Sequence, residues 1–195
     1  MYVKIYCDGA ASMKQVNGKY ERCNGGWAFA RVEDNKVTYW ENGRQLNTTN
    51  NAMELSAILN ALWYCINKDI KGIGVEIYCD SAYCVNIFSS WIEGWKRNGW
   101  TRGKKHEPIE NLGLIMNIDK LISELNMKFV EVKFIKVKGH SDNEFNNFVD
   151  KLAVEAKEGI IQGRYIDYSC YDEYDKYFDN KEIDEIIKPL IVKEQ

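Results

Sequence analysis

Four acids in this 195-residue chain occupy positions from which they could meet. Asp8 in YCDGA and Asp80 in YCDSAY each close a strand-like run, VKIYCD and GVEIYCD. If those strands lie side by side in parallel, both acids emerge at the carboxyl edge of a sheet, where open α/β folds place their sites. Glu54 in TTNNAMELSAI stands beside Leu55 and one turn before Ile58, and Asp150 in FVDKLA stands beside Val149 and one turn before Val154. Each therefore flanks the apolar stripe of a helix rather than opposing it. Taken singly, the aspartates read as turn or cap residues and the helix acids as boundary residues with their heads in water. Taken together, they raise convergence on one point. Two carboxylates about 4 Å apart repel by about 4 kcal/mol at an effective dielectric of about 20. Positive charge must then sit among them. Oxygen-only ligands suit Mg²⁺, with Mn²⁺ as a substitute, and a pair of such ions roughly 3.5–4 Å apart can activate a water towards a phosphodiester and stabilise the leaving oxygen.

The elements needed to bring the acids together can be read from periodicity. Residues 3–8 alternate as a strand, and 25–45 read as two more strands turning at Asp34-Asn35. Leu55, Ile58, Leu59, Leu62 and Ile66 recur at helical spacing behind capping groups at 48–51, which predicts a helix there. A strand over 74–80, a helix begun by Ser81, a Lys/Arg/Trp-rich segment over 91–106, a helix over about 111–126, a strand over 129–137 and a helix over 145–157 follow. Strand–helix–strand order implies parallel pairing across the crossover.

Composition sets bounds on the function classes. Hydrophobic residues at 45% and charged residues at 28% describe an ordinary globular chain, long enough for one domain with a sizeable core. No apolar run approaches a membrane span and the N-terminus enters a strand pattern at once, so a cytoplasmic monomer without membrane contact is expected. The six cysteines form no CxxC pair and only two histidines are present, which argues for reduced packing thiols over a thiolate zinc site. Net charge is −3, yet residues 1–159 carry 21 Lys+Arg against 20 Asp+Glu, whereas 160–195 carry 5 against 9. The acidity lies in the tail, and the body is free to bind a polyanion.

The ordered set Asp8 in YCDGA, Glu54 in TTNNAMEL, Asp80 in YCDSAY, His140 in KVKGHSD and Asp150 in FVDKLA resembles the signature of the type 1 ribonuclease H family. WIEGWKRNGWTRGKK resembles that family's substrate-binding protrusion. The resemblance runs over about residues 2–158. It implies an α/β fold, a ribonuclease H-like five-stranded mixed sheet flanked by helices over 1–159, with 160–195 as a C-terminal extension docked on it. It also implies an endonuclease hydrolysing the RNA strand of RNA/DNA hybrids, with two Mg²⁺ ions held by Asp8, Glu54, Asp80 and Asp150, Asp8 being shared. By the same resemblance His140 assists proton transfer or product departure, and Thr49 and Asn111 belong to a pocket for a phosphate of the DNA strand, helix capping being their other reading. Asn146-Asn147 stands where the family commonly has Asn-Glu.

Substrate recognition has its own physical logic. Telling RNA from DNA requires sensing 2′-hydroxyls in a shallow minor groove, for which Asn50 and Asn51 offer short donors and acceptors. Lys96, Arg97, Arg102, Lys104 and Lys105, interleaved with Trp91, Trp95 and Trp100, supply cations for phosphates and flat faces for sugars or bases. The plainer reading is a solvated helix with one or two of the tryptophans packed inward. Other readings of the whole chain are a nucleic-acid-binding module that has lost catalysis, and another nuclease or strand-transferase on the same fold.

Overall fold

The computed structural model describes residues 2–12, 14–16, 18–21, 23–70, 74–139 and 142–161. Its central sheet has five strands in the order β5-β4-β1-β6-β7. These are β1 (Tyr2–Ala11), β4 (Cys23–Glu33), β5 (Lys36–Thr48), β6 (Gly74–Cys79) and β7 (Val132–Lys136), and a small separate hairpin joins β2 (Lys14–Val16) to β3 (Lys19–Glu21). β1 pairs antiparallel with β4 and parallel with β6, and β6 pairs parallel with β7, so the sheet is mixed as expected. The turn anticipated at Asp34-Asn35 closes β4 onto β5 with φ of 49° and 56° at its two central residues. Positive φ at both matches the right-handed twist of the flanking strands, and Asp and Asn tolerate it.

Helix α1 (Asn50–Asn67) begins at Thr49, whose side chain caps the Ala52 N–H. The apolar spacing predicts one buried stripe; instead, burial runs round nearly the whole helix from Ala52 to Cys65. The cause is a second cover. α1 lies against β1 and β4 on one side and against α4 (Leu112–Met127) on the other. Two of its buried polar side chains are satisfied within the helix, Ser56 Oγ donating to the Ala52 carbonyl and Asn60 Nδ2 to the Ser56 carbonyl, both at 2.8 Å. Buried hydroxyls and amides are tolerated when bonded in this way.

After β6, Ser81 caps the Cys84 N–H and starts α2 (Ala82–Asn86), which continues through a π-helical turn (Ile87–Trp91) into α3 (Ile92–Arg97). The strand expected over 129–137 is shorter, Val132–Lys136, because α4 closes with Phe129 at φ 60° and the Val130 N–H bonded back to the Leu125 carbonyl. On the opposite face of the sheet, α5 (Glu144–Lys157) packs Val149, Leu152 and Ala153 against Ala28, Ala30 and Val32. Tyr6 and Tyr78 stack across β1 and β6 at 4.7 Å and receive Phe145 at 5.4 Å. Buried Asn42 adds a hydrogen bond of 3.2 Å to the Leu152 carbonyl. The five described cysteines form no disulfide with one another, and four of them are buried, in line with packing roles. The tyrosine repeat, Cys170 and the helix expected near 180–188 lie outside the described residues.

Candidate active site

The central pair of strands sets the site. β1 and β6 run in parallel register from Tyr2↔Gly74 to Cys7↔Cys79, so Asp8 and Asp80 leave neighbouring strands at one level. Asp8 is not the terminal residue of its strand: β1 continues to Ala11, paired with Gly25 of β4, which anchors Asp8 from both directions. The next residue is glycine for a steric reason, since a Cβ on Gly9 would stand 2.2 Å from the Glu54 backbone nitrogen. β1 and the first turns of α1 therefore touch backbone to backbone. That contact carries Glu54 to Asp8.

Carboxylate oxygens of Asp8, Glu54 and Asp80 lie within 4.8 Å of one another. Asp8 and Glu54 are buried, 5% and 4% exposed, and Asp80 is half-buried. Burial chiefly, with the Asp80 charge next, pushes the Asp8 carboxyl up to about 8, although the Gly9 N–H, 2.7 Å from Oδ1, pulls it back. Glu54 is raised well above its usual value of 4.5 by burial first, then by Cys79, Asp8 and Asp80. Both shifts have one meaning: negative charge is crowded here among buried carboxylates.

Asp150 belongs to α5 and is half-buried. It is not within the 4.8 Å group of three, but it is close enough to contribute to the rise of Asp8. The fourfold convergence expected from sequence is thus a triad with Asp150 beside it. The α5 N-terminus reaches the triad through a residue not singled out for this role, Asn146, which is 1% exposed, has its Nδ2 3.5 Å from Asp80 Oδ2, and leaves its buried Oδ1 without a partner. Gly139 completes the wall, since a Cβ there would lie 2.5 Å from Asp80 Oδ2. His140 lies outside the described residues.

The residues expected to hold nucleic acid divide into several groups. Thr49 is the cap of α1, its Oγ1 accepting from the Ala52 N–H. Asn50 is exposed but engaged: its Oδ1 accepts from the Ala11 N–H at 3.1 Å, and its Nδ2 lies 3.4 Å from Glu54 Oε1. Asn51 is half-buried in the first turn of α1. Asn111 precedes α4 with φ 58° and does not cap it; the Tyr83 hydroxyl donates to the carbonyl of the preceding residue, Glu110, at 3.3 Å. Of the three tryptophans, Trp95 and Trp100 pack against the main core, whereas Trp91 is 40% exposed and meets Tyr83 edge-on at 6.3 Å. Lys96 is engaged by Asp119 at 2.6 Å and Glu93 at 3.1 Å. Arg102 pairs with Glu107 across a small loop closed at both ends by backbone bonds, and Asn98 Nδ2 holds that loop from inside through Thr101 and Gly103. Lys104 and Lys105 project from it exposed, and Arg97 is likewise exposed at the end of α3.

A family model described as RNase H matches residues 1–158. The chain belongs to the ribonuclease H family. It is 41% identical over 155 residues to the ribonuclease H of Acetivibrio thermocellus, covering 78% of this chain and 92% of that one. It is 40% identical over 162 residues to the ribonuclease H of Clostridium botulinum, covering 80% and 95%. Among solved structures, LC9-RNase H1, a type 1 RNase H with the type 2 active-site motif, superposes with a TM-score of 0.63 at 24% identity, over 93% of this chain and 84% of that one. Foamy viral protease-reverse transcriptase in complex with an RNA/DNA hybrid gives 0.65 at 18%, over 80% of this chain and 20% of that one. At these identities the structural likeness speaks for the ribonuclease H fold. Sequence reasoning found the three clustered acids of this ribonuclease H chain and noted Asn146 only as half of the Asn146-Asn147 pair, while it passed over Cys79 and the two glycines as members of the site. A glycine directly after Asp8 was the one available signal.

Proposed function

We propose that this chain hydrolyses the RNA strand of RNA/DNA hybrids, using Mg²⁺, two ions per site with Mn²⁺ as a substitute, held by Asp8, Glu54, Asp80 and Asp150. The observation that carries the reading is the triad of carboxylate oxygens within 4.8 Å, two of its members buried with raised pKa values. An all-oxygen donor set with excess negative charge fits a hard divalent ion and fits little else. Bound there, divalent ions supply an activated water and charge stabilisation of the leaving oxygen.

The chain's own residues position those ligands. β1 and β6 hold Asp8 and Asp80 rigidly, Gly9 admits Glu54, and α5 presents Asp150 and steadies Asp80 through Asn146. His140, proposed from the family resemblance, assists proton transfer or product departure. Asn51 and the outward face of Asn50 read the minor groove, and Thr49 with Asn111 receives a DNA-strand phosphate. Trp91, Arg97, Arg102, Lys104 and Lys105 grip the backbone, with Lys96, Trp95 and Trp100 forming the frame that carries them. That a foamy viral relative in fold was solved with an RNA/DNA hybrid supports this substrate class. In this reading residues 1–159 are the catalytic domain and 160–195 an acidic extension, whose expected docking lies outside the described residues. No described helix is long and apolar enough to cross a membrane, and a cytoplasmic monomer remains the reading of choice.

The test is cleavage of labelled RNA/DNA hybrid, double-stranded RNA and double-stranded DNA, with Mg²⁺ and with a chelator. Metal-dependent cutting confined to RNA in the hybrid is expected. Binding without cutting would favour a module that has lost catalysis, and cutting of duplex DNA would favour a different nuclease on this fold.

A further inference from the structure

Behind the acidic triad lies a group of buried thiols that the reaction does not use. Cys7 and Cys79 face each other in register on β1 and β6, and Cys84 follows on α2; all three have 0% exposure. Cys79 is distinguished from the others by its partners. Its Sγ lies 3.8 Å from Glu54 Oε2 and accepts the Ser81 N–H at 3.3 Å. Sulfur is larger than oxygen, so this separation is the ordinary reach of an S–H donor. The other oxygen of the same carboxylate, Oε1, is the one approached by Asn50 Nδ2 at 3.4 Å.

We propose that Cys79 is a positioning residue that clamps the Glu54 carboxylate from one side while Asn50 holds it from the other, fixing the oxygens of Glu54 for a divalent ion. The inference rests on the metal-dependent reading of the site. Glu54 is carried by a buried helix and reached by β1 from below, but neither contact fixes rotation about its terminal torsion, which is broad for a carboxylate. Two donors on opposite oxygens fix it. The Ser81 N–H, by bonding Cys79 Sγ, ties the clamp to the start of α2, immediately after Asp80. The relative orientation of Glu54 and Asp80 is thereby set by one sulfur atom.

An outer group that orients a metal ligand is worth about tenfold to a hundredfold in metal affinity. The test compares Cys79→Val, which keeps an apolar body without a donor, with Cys79→Ser, which keeps a donor, both in the full chain. Mn²⁺ binding is read by electron paramagnetic resonance and Mg²⁺ binding by calorimetry. Expected is a loss of about tenfold or more in C79V, with C79S within a few-fold of the unchanged protein, and thermal unfolding of the two metal-free variants alike. Equal metal affinity in C79V and the unchanged protein would overturn the proposal.

A second readout needs no metal. In chelator-treated protein the S–H stretching band lost in C79V is that of Cys79, and Glu54→Leu should move it towards the position of an unbonded thiol. A band that does not move would overturn the clamp. If the unchanged protein binds no divalent ion at all, the metal-dependent reading fails, and the infrared comparison still decides whether Cys79 holds Glu54.

Discussion

Gly9 passes so close to Glu54 that a Cβ would stand 2.2 Å from the Glu54 nitrogen and 2.3 Å from the Met53 carbonyl carbon. Neither obstacle is a side chain that can rotate away. Gly9→Ala must separate β1 from α1, and overpacking of this kind costs about 1–3 kcal/mol. Because Asp8 is attached to the displaced strand and Glu54 to the displaced helix, activity should fall further than stability, by about a hundredfold for a shift of about 1 Å. Urea unfolding and hybrid cleavage, measured on the same preparation, give the two numbers. Unchanged cleavage in G9A would show that the contact does not set the Asp8–Glu54 spacing.

Asp8→Asn keeps shape and removes one charge from the crowded triad. Cleavage of the hybrid should be abolished while binding of the hybrid persists. The metal-free protein should become more stable, because burial and the Asp80 charge both oppose ionisation of Asp8. Cleavage assays, filter binding and thermal unfolding with chelator present check the three statements; retained cleavage would remove Asp8 from the reaction.

The pH dependence of the metal-free fold follows from the same shift. Asp8 titrates at about 8 in the folded chain against an ordinary 3.8, and Glu54 is raised in the same direction. Between those values the folded state holds protons that the unfolded state has released, so stability is greatest at low pH and is lost as pH rises towards 8, at up to about 1.4 kcal/mol per pH unit for each proton. Divalent ions favour the charged carboxylates and should flatten or reverse the trend. Urea midpoints at pH 5 and pH 8, with chelator and with Mg²⁺, test it. A metal-free midpoint that rises with pH would contradict the crowding described here.

The basic segment should divide by structure rather than by charge count. Replacing Arg97, Lys104 and Lys105 with Gln should raise the apparent KM and flatten its salt dependence, by about 0.9 in logarithmic slope per phosphate contact removed, with little change in kcat. Lys96→Gln should have the weaker effect on KM, because hydrogen bonds to Asp119 and Glu93 already engage its ammonium. Steady-state kinetics over a salt series distinguish them, and an equal effect of K96Q would mean that the Asp119 pair opens on binding.

The elements with strong periodicity were legible before any coordinates. The turn at Asp34-Asn35, the parallel placement of Asp8 and Asp80, and the helices carrying Glu54 and Asp150 all follow from alternation, helical spacing and turn chemistry. What escaped was everything decided by a third body. α1 reads as amphipathic because its spacing shows only the face towards the sheet, and its second burial depends on α4, distant in sequence. Asn50 reads as a free groove-binding amide, yet the end of β1 arrives and takes its Oδ1. Lys96 reads as a phosphate contact until Asp119, 23 residues on, is brought alongside it. Cys79 carries no signal in sequence, since a lone buried thiol and one facing a carboxylate look the same.

The antiparallel run of β1 against β4 places Asp34 and Asn35 beyond the Lys4↔Val32 end of the ladder, whereas Asp8 lies towards Ala11↔Gly25. The reaction and the hairpin tip therefore occupy opposite poles of one rigid plank. A tether, affinity handle or fluorescent fusion spliced into that exposed tip would leave the business end undisturbed, which makes it the natural attachment point for immobilising the molecule with its acids facing outward.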